Sequence, residues 1–250
     1  MASRDASNRT RSADSVANAR RRSPWRRIGR GLFLLCTLFV IASIALVALY
    51  RVVPPPATPL MLIRAAQGYG LTKSWRALDA ISPNLVRAVV AGEDARFCQH
   101  HGFDWEAIEA AWERYRRGRG RLLGASTISM QTAKNLFLWP GRDWPRKALE
   151  AWFTGLLELA WSKRRIIEVY LNIVEWDSGV YGAEAAARHY FGKPAAALSG
   201  REAARLAAVL PDPLDRSATR PGPEARRHAA FILEQMPLVP VRTPLPCGER

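Results

Sequence analysis

Residues 145–174 read PRKALEAWFTGLLELAWSKRRIIEVYLNIV, and the fold class turns on them. Pro145 suits a first helical turn, where a missing N–H costs nothing. Leu149, Trp152, Phe153, Leu156, Leu157 and Ala160 then recur at steps of three and four, which gathers them on one helix face. A second helix follows from about Lys163 to Val174, with Ile166, Ile167, Tyr170, Leu171 and Val174 turned inward. The same period spreads in both directions. Ser82 caps and Pro83 opens a helix through LVRAVVAGE. Asp104 caps another, in which Trp105, Ile108, Ala111, Trp112 and Tyr115 keep helical spacing. GVYGAEAAARHYF reads as an alanine-rich helix, and Ser199 with Glu202 forms a capping box ahead of a helix that Pro211 stops. A last helix runs from about Pro223 to Met236. Period-two alternation is scarce, so the expected class is mostly α.

The chain has 250 residues, 48% apolar and 24% charged, which allows one or two domains with a substantial core and excludes wholesale disorder. Cys36, Cys98 and Cys247 are too few for a disulfide scaffold and lack metal-finger spacing. Cys98 and Cys247 can pair in an oxidising compartment, but their long separation and the tail position of Cys247 favour free thiols. The net charge of +15 leaves nucleic acid, anionic lipid and phosphorylated substrates open as partners.

That charge is unevenly spread. Residues 1–30 hold nine Arg and two Asp in a Ser/Asn-rich stretch whose composition reads as disordered. Residues 31–50, GLFLLCTLFVIASIALVALY, carry no charge. A run of this length spans about 30 Å as a helix, the thickness of a bilayer's hydrocarbon core. The arginines before it predict a cytoplasmic N-terminus with the rest of the chain across the membrane. A cleaved signal peptide is the rival reading, with Ser43-Ile44-Ala45 as the cleavage site; the apolar run exceeds the usual core of about 7–15 residues, which favours a retained anchor. Pro54-Pro55-Pro56 and Pro59 make a stiff spacer. The expected divisions are a cytoplasmic basic tail (1–30), a transmembrane anchor (31–50), a Pro-rich spacer (51–65), a helical domain (66–236) and a loose C-terminal tail (237–250).

Four stretches of the domain do not read as plain core. Glu93 and Asp94 end an apolar run, where a carboxylate gains a raised pKa suited to proton transfer, or else is an ordinary capping group at an exposed helix end. Gly124-Ala125-Ser126-Thr127, leading to Gln131, Lys134 and Asn135, opens a helix with hydroxyls and N–H groups suited to phosphate, or is simply a capped start with a solvated lysine. Arg146 and Glu150 share a face as a surface ion pair or as the lining of a cleft. The basic run at Lys163 reads as a solvated helix start or a site, and Asn172 as a ligand or a buried structural hydrogen bond. Arg114, Arg116, Arg117, Arg119 and Arg121, with Gly118 and Gly120, form a cationic loop fit for lipid headgroups, pyrophosphate or solvent.

The runs EDARFCQHHGFDWEAI, GASTISMQTAKNLFL, RKALEAWFTGLLE and KRRIIEVYLN, in this order, resemble the signature of glycosyltransferase family 51. The resemblance covers roughly residues 70–215. With one anchor and no room for a penicillin-binding domain, the chain is similar to the monofunctional biosynthetic peptidoglycan transglycosylases. The resemblance implies a lysozyme-like helical glycosyltransferase domain behind one transmembrane helix, and polymerisation of lipid II into β-1,4-linked glycan strands with inversion. Glu93 matches the family's catalytic base, Lys134 and Arg146 its basic residues for the leaving pyrophosphate, and Glu150 its second glutamate, acting directly or through a metal ion. Ser126, Thr127, Gln131 and Asn135 fall in the donor-side motif, and Lys163 and Asn172 in the fourth. No cofactor is implied as obligatory, although a divalent cation such as Mg is compatible. The implied partners are lipid II, the growing lipid-linked chain, the bacterial inner membrane and cell-wall synthesis proteins, with the catalytic domain periplasmic and no nucleic acid involved. Two departures stand out. Met130 replaces the first of two family glutamines, and EWDSGVYG differs in detail, so no ligand is assigned there.

Overall fold

A computed structural model describes residues 24–118, 126–141, 143–239 and 247. The expectations for the tail up to residue 23, for residues 119–125 of the cationic loop and donor-side turn, and for most of the tail after 239 lie outside them.

The chain divides into residues 1–46 and 47–250. Helix α1 (Pro24–Val52), most of it in the first, begins inside the stretch read as a tail and runs two residues past the expected anchor. It alone among the described residues is long and apolar enough to cross a membrane. Phe33, Leu35, Leu38 and Ile41 on it are all exposed, unlike the side chains of a core helix.

In the second unit, the end of α1 is held by Trp161, whose indole donates to the Val47 carbonyl at 2.8 Å. Helix α2 (Pro59–Ala66) follows, capped by Thr58 and with Met61 fully buried. Residues 59–65 are therefore helical rather than extended spacer, because a hydroxyl cap precedes a proline in the first turn. The remaining helices are α3 (Pro83–Glu93), α4 (Trp105–Arg116), α5 (Ile128–Phe137), α6 (Trp144–Ala160), α7 (Lys163–Ile173), α8 (Ala183–Phe191), α9 (Gly200–Ala207) and α10 (Pro223–Gln235). Side-chain caps open most of them: Ser82 on α3, Asp104 on α4, Thr127 on α5, Asp143 on α6, Ser162 on α7 and the Ser199–Glu202 box on α9.

Helix α3 lies centrally, packed on α9 and α10, while α5 packs on α6 and α7. Leu85, Ala88 and Val89 of α3 and Ile166, Ile167, Tyr170 and Leu171 of α7 are fully buried. Each large apolar side chain buried this way contributes about 1.5–3 kcal/mol. Gly92, one residue before Glu93, admits Ile232 of α10 so closely that a Cβ there would stand 2.9 Å from its Cδ1.

Three differences from the sequence reading have clear causes. GVYGAEAAARHYF is not helical throughout: Val180–Tyr181 forms strand β3, between β1 (Thr72–Lys73, parallel) and β2 (Glu175–Asp177, antiparallel), and α8 starts only at Ala183. Gly179 and Gly182 have φ of +71° and +86°, and a Cβ on Gly179 would sit 2.2 Å from the Tyr69 carbonyl oxygen. Strands this short carry no readable period. Helix α4 keeps its spacing but buries only Ala111, leaving Trp105, Trp112 and Tyr115 exposed. Cys98 and Cys247 are disulfide-bonded, with Cα atoms 5.1 Å apart, rather than free thiols.

Candidate active site

Glu93 is the last residue of α3 and is half-buried. Its Oε2 accepts from Gln131 Nε2 at 2.8 Å, and Gln131 Oε1 in turn accepts from the Tyr170 hydroxyl at 3.0 Å. Helices α3, α5 and α7 thus meet at this carboxylate. Burial pushes its pKa above the ordinary 4.5; the Gln131 bond, Lys134 and Arg216 pull it down and Asp94 adds to the rise. The expected pattern of a carboxylate at the end of an apolar run is present in this geometry.

Asp94 behaves differently. It is buried, its two oxygens lie 2.9 and 3.1 Å from His100 Nε2, and Oδ2 also accepts the Ile128 amide at 2.9 Å. It ties the loop after α3 to the first turn of α5. Thr127 adds to that joint by accepting the Met130 amide and donating to the Gly102 carbonyl at 2.6 Å. Ser126 is exposed beside it. Glu93, Arg96, Asp104, Ala107, Ser126 and Thr127 are among the residues lining a cavity of about 270 Å³.

Lys134 sits one turn beyond Gln131 on α5, half-buried, with no carboxylate in ion-pair contact among the described residues. Desolvation lowers its pKa from 10.5; Glu150 and Glu93 oppose that, and Arg146 and Lys147 reinforce it. Asn135 follows it, half-buried. Arg146 and Glu150, one turn apart on α6, are both buried and bond at 2.7 Å. Lys147 bonds the other Glu150 oxygen, while Arg146 Nε has no partner. The pair lines the interior and is no surface bridge. With both oxygens held by side-chain cations, Glu150 does not suit a divalent metal ion, which would have to displace Arg146 or Lys147.

Two sequence candidates lie in other networks. Lys163 bonds Glu158 at 2.7 Å and stands 4.5 Å over the Phe97 ring. Asn172 is fully buried; its Oδ1 accepts the Arg76 amide and its Nδ2 donates to the Arg76 and Glu168 carbonyls. Met130 is buried, so the missing glutamine there removes no polar group from the cleft. Sequence reasoning passed over Lys147, which adjoins Arg146 in the quoted run, and the Tyr170 hydroxyl, hidden inside an apolar stripe. It also passed over Arg216, in a stretch with no pattern of its own.

A family model described as Transglycosylase matches residues 61–237. A biosynthetic peptidoglycan transglycosylase of Rhodospirillum centenum is 60% identical over 214 residues, covering 85% of this chain and 92% of its own length. Proteins of the same name are 55% identical in Caulobacter vibrioides (79% of this chain, 86% of that one) and 51% identical in Pseudomonas aeruginosa (84% and 93%).

Proposed function

This chain belongs to the transglycosylase family, and from that premise we propose that it is a peptidoglycan glycosyltransferase that polymerises lipid II, with Glu93 as general base. Glu93 takes the proton of the acceptor's GlcNAc 4-hydroxyl. That oxygen attacks C1 of the donor MurNAc from the face opposite the leaving group. The C1–O bond breaks with inversion, and its electron pair leaves on undecaprenyl diphosphate. Lys134 and Arg146 stabilise the charge that gathers on the diphosphate. Glu150, with Lys147, fixes Arg146 in place. Ser126, Thr127, Gln131 and Asn135 belong to the donor side. Helix α1 anchors the protein in the inner membrane, with the N-terminus cytoplasmic and residues 47–250 periplasmic beside the lipid-linked substrate.

The observation that carries this reading is the half-buried Lys134 ammonium, without an ion-pair partner among the described residues and in the fields of both Glu93 and Glu150. A cation desolvated without a protein partner is costly unless a ligand supplies the anion. Transfer is favoured over hydrolysis because an inverting hydrolase needs a second carboxylate free to face the first. Asp94 is engaged by His100 and Ile128, Asp104 by the Ala107 amide and Arg96, and Glu150 by two cations.

Purified full-length protein given lipid II in detergent or vesicles is expected to make long glycan strands, and Glu93→Gln to make them about a thousandfold more slowly while folding normally. Fragments released from finished peptidoglycan, or full polymerisation by the variant, would overturn the reading.

A further inference from the structure

We propose that Tyr170 is a positioning residue for the reaction, acting through Gln131 to hold one oxygen of Glu93 and leave the other free for the acceptor hydroxyl. The proposal rests on Glu93 being the base. The chain of bonds has only one consistent polarity. An ionised carboxylate accepts and cannot donate, so Gln131 must present its NH2 group to Glu93. The carboxamide oxygen then faces Tyr170, whose hydroxyl must be the donor. Tyr170 is fully buried on α7, and burial together with the nearby Glu93 and Asp94 charges pushes its pKa far up, so the donor proton stays in place at any working pH. Without that anchor only the Glu93 bond and a long 3.5 Å bond from Nε2 to the Ser126 carbonyl hold the Gln131 carboxamide against turning over.

Glu93 Oε2 is the oxygen held, and Oε1 has no partner among the described residues. A base held by one oxygen keeps the other available to the acceptor, and Glu93 lines the cavity together with Ser126 and Ala107. Gln131, which the sequence assigns to the donor side, therefore has its carboxamide occupied at both ends. The charged groups facing Glu93 are Asp94 at the end of its own helix, Lys134 on α5 and Arg216 in the segment between α9 and α10. Tyr170→Phe alters none of them, so a shift in the titration of Glu93 in that variant reports the lost hydroxyl.

The test uses full-length protein with lipid II and measures kcat, KM, the pH–rate profile and Tm for Tyr170→Phe, Gln131→Met, Glu93→Gln and Tyr181→Phe. Tyr181 is the control: also fully buried, it donates to Glu175 at 2.9 Å, away from Glu93. Tyr170→Phe is expected to lower kcat about tenfold, the worth of one good hydrogen bond, with KM changed less than about twofold. Its acid limb should move to higher pH, as should that of Gln131→Met, whereas Tyr181→Phe loses stability without moving the limb. An unmoved acid limb in Tyr170→Phe, or one that moves equally in Tyr181→Phe, overturns the positioning role. If Tyr170→Phe does not fold, Gln131→Met decides by the same criterion. An active Glu93→Gln would sink the base itself; an inactive one beside an unaffected Tyr170→Phe sinks only the positioning.

Discussion

Two carboxylates of the same helical domain, half-buried Glu93 and buried Glu184, are treated in opposite ways. Glu184, at the start of α8, accepts the Ala195 amide at 2.9 Å, Arg188 Nε at 2.7 Å and Arg76 Nη2 at 3.2 Å. Burial alone would raise its pKa, but those three donors together outweigh it and hold the carboxyl below the ordinary range. Glu93 receives one neutral donor, Gln131, and is left above the ordinary range. The lysines repeat the contrast. Lys163 is paired with Glu158, and Lys134 has no such partner among the described residues. A polar side chain satisfied by its own chain acts as a structural joint, and one left short of partners is prepared for a ligand.

The largest test of this contrast is activity. Glu93→Gln is expected to lower the polymerisation rate by about a thousandfold, within the usual range for a general base, and Glu184→Gln to leave kcat/KM within about threefold. Equal losses in both would erase the distinction.

The lysines provide the next test. Lys134→Ala should cost about a hundredfold in kcat/KM with Tm unchanged, because no protein ion pair is lost. Lys163→Ala should reverse the pattern: Glu158 keeps only its bond from Ser129, stability falls by about 2 kcal/mol, and the rate is little altered. Urea unfolding alongside the lipid II assay separates the two.

The smallest effects lie in pH dependence, and their signs are opposite. The folded pKa of Glu93 is raised, so the stability it contributes is fully present below about pH 4.5 and lost as pH rises through the folded value. Glu93→Gln should therefore be at least as stable as the parent at pH 7. The folded pKa of Glu184 is lowered, so its contribution is present above 4.5 and lost as pH falls through the folded value. Glu184→Gln should lose about 2 kcal/mol at pH 7 and less in acid. The activity profile should follow the cleft alone, with an acid limb above the ordinary carboxylate value of 4.5 and a basic limb below the ordinary lysine value of 10.5.

The helices were legible because their signals are local. Ser82-Pro83, Asp104 and Ser199 with Glu202 each act on a backbone group two or three residues away, and those caps stand where the sequence puts them. The strands and the disulfide were not legible. Thr72–Lys73 pairs with Val180–Tyr181 more than 100 residues along, and Cys98 bonds a cysteine 149 positions away. In the candidate site, Glu93, Gln131, Lys134, Arg146 and Glu150 all stood out by residue type and setting. What separated them from Lys163 and Asn172 did not, because that depends on which distant groups satisfy each one.

Local pattern therefore settled the class of fold, the apolar N-terminal helix, the helix starts and most of the polar residues from which the site is drawn, but not Lys147, Arg216 or the Tyr170 hydroxyl. Periodicity, capping and charge are properties of neighbours along the chain. Packing was needed to show that Arg146–Glu150 is an interior pair, that Asp94 is a joint between α3 and α5, and that the Tyr170 hydroxyl reaches Glu93 through Gln131. The last two depend on groups from separate helices meeting within about 3 Å, and the first on other elements covering one face of α6; in a low-dielectric core a missing or present partner outweighs residue type.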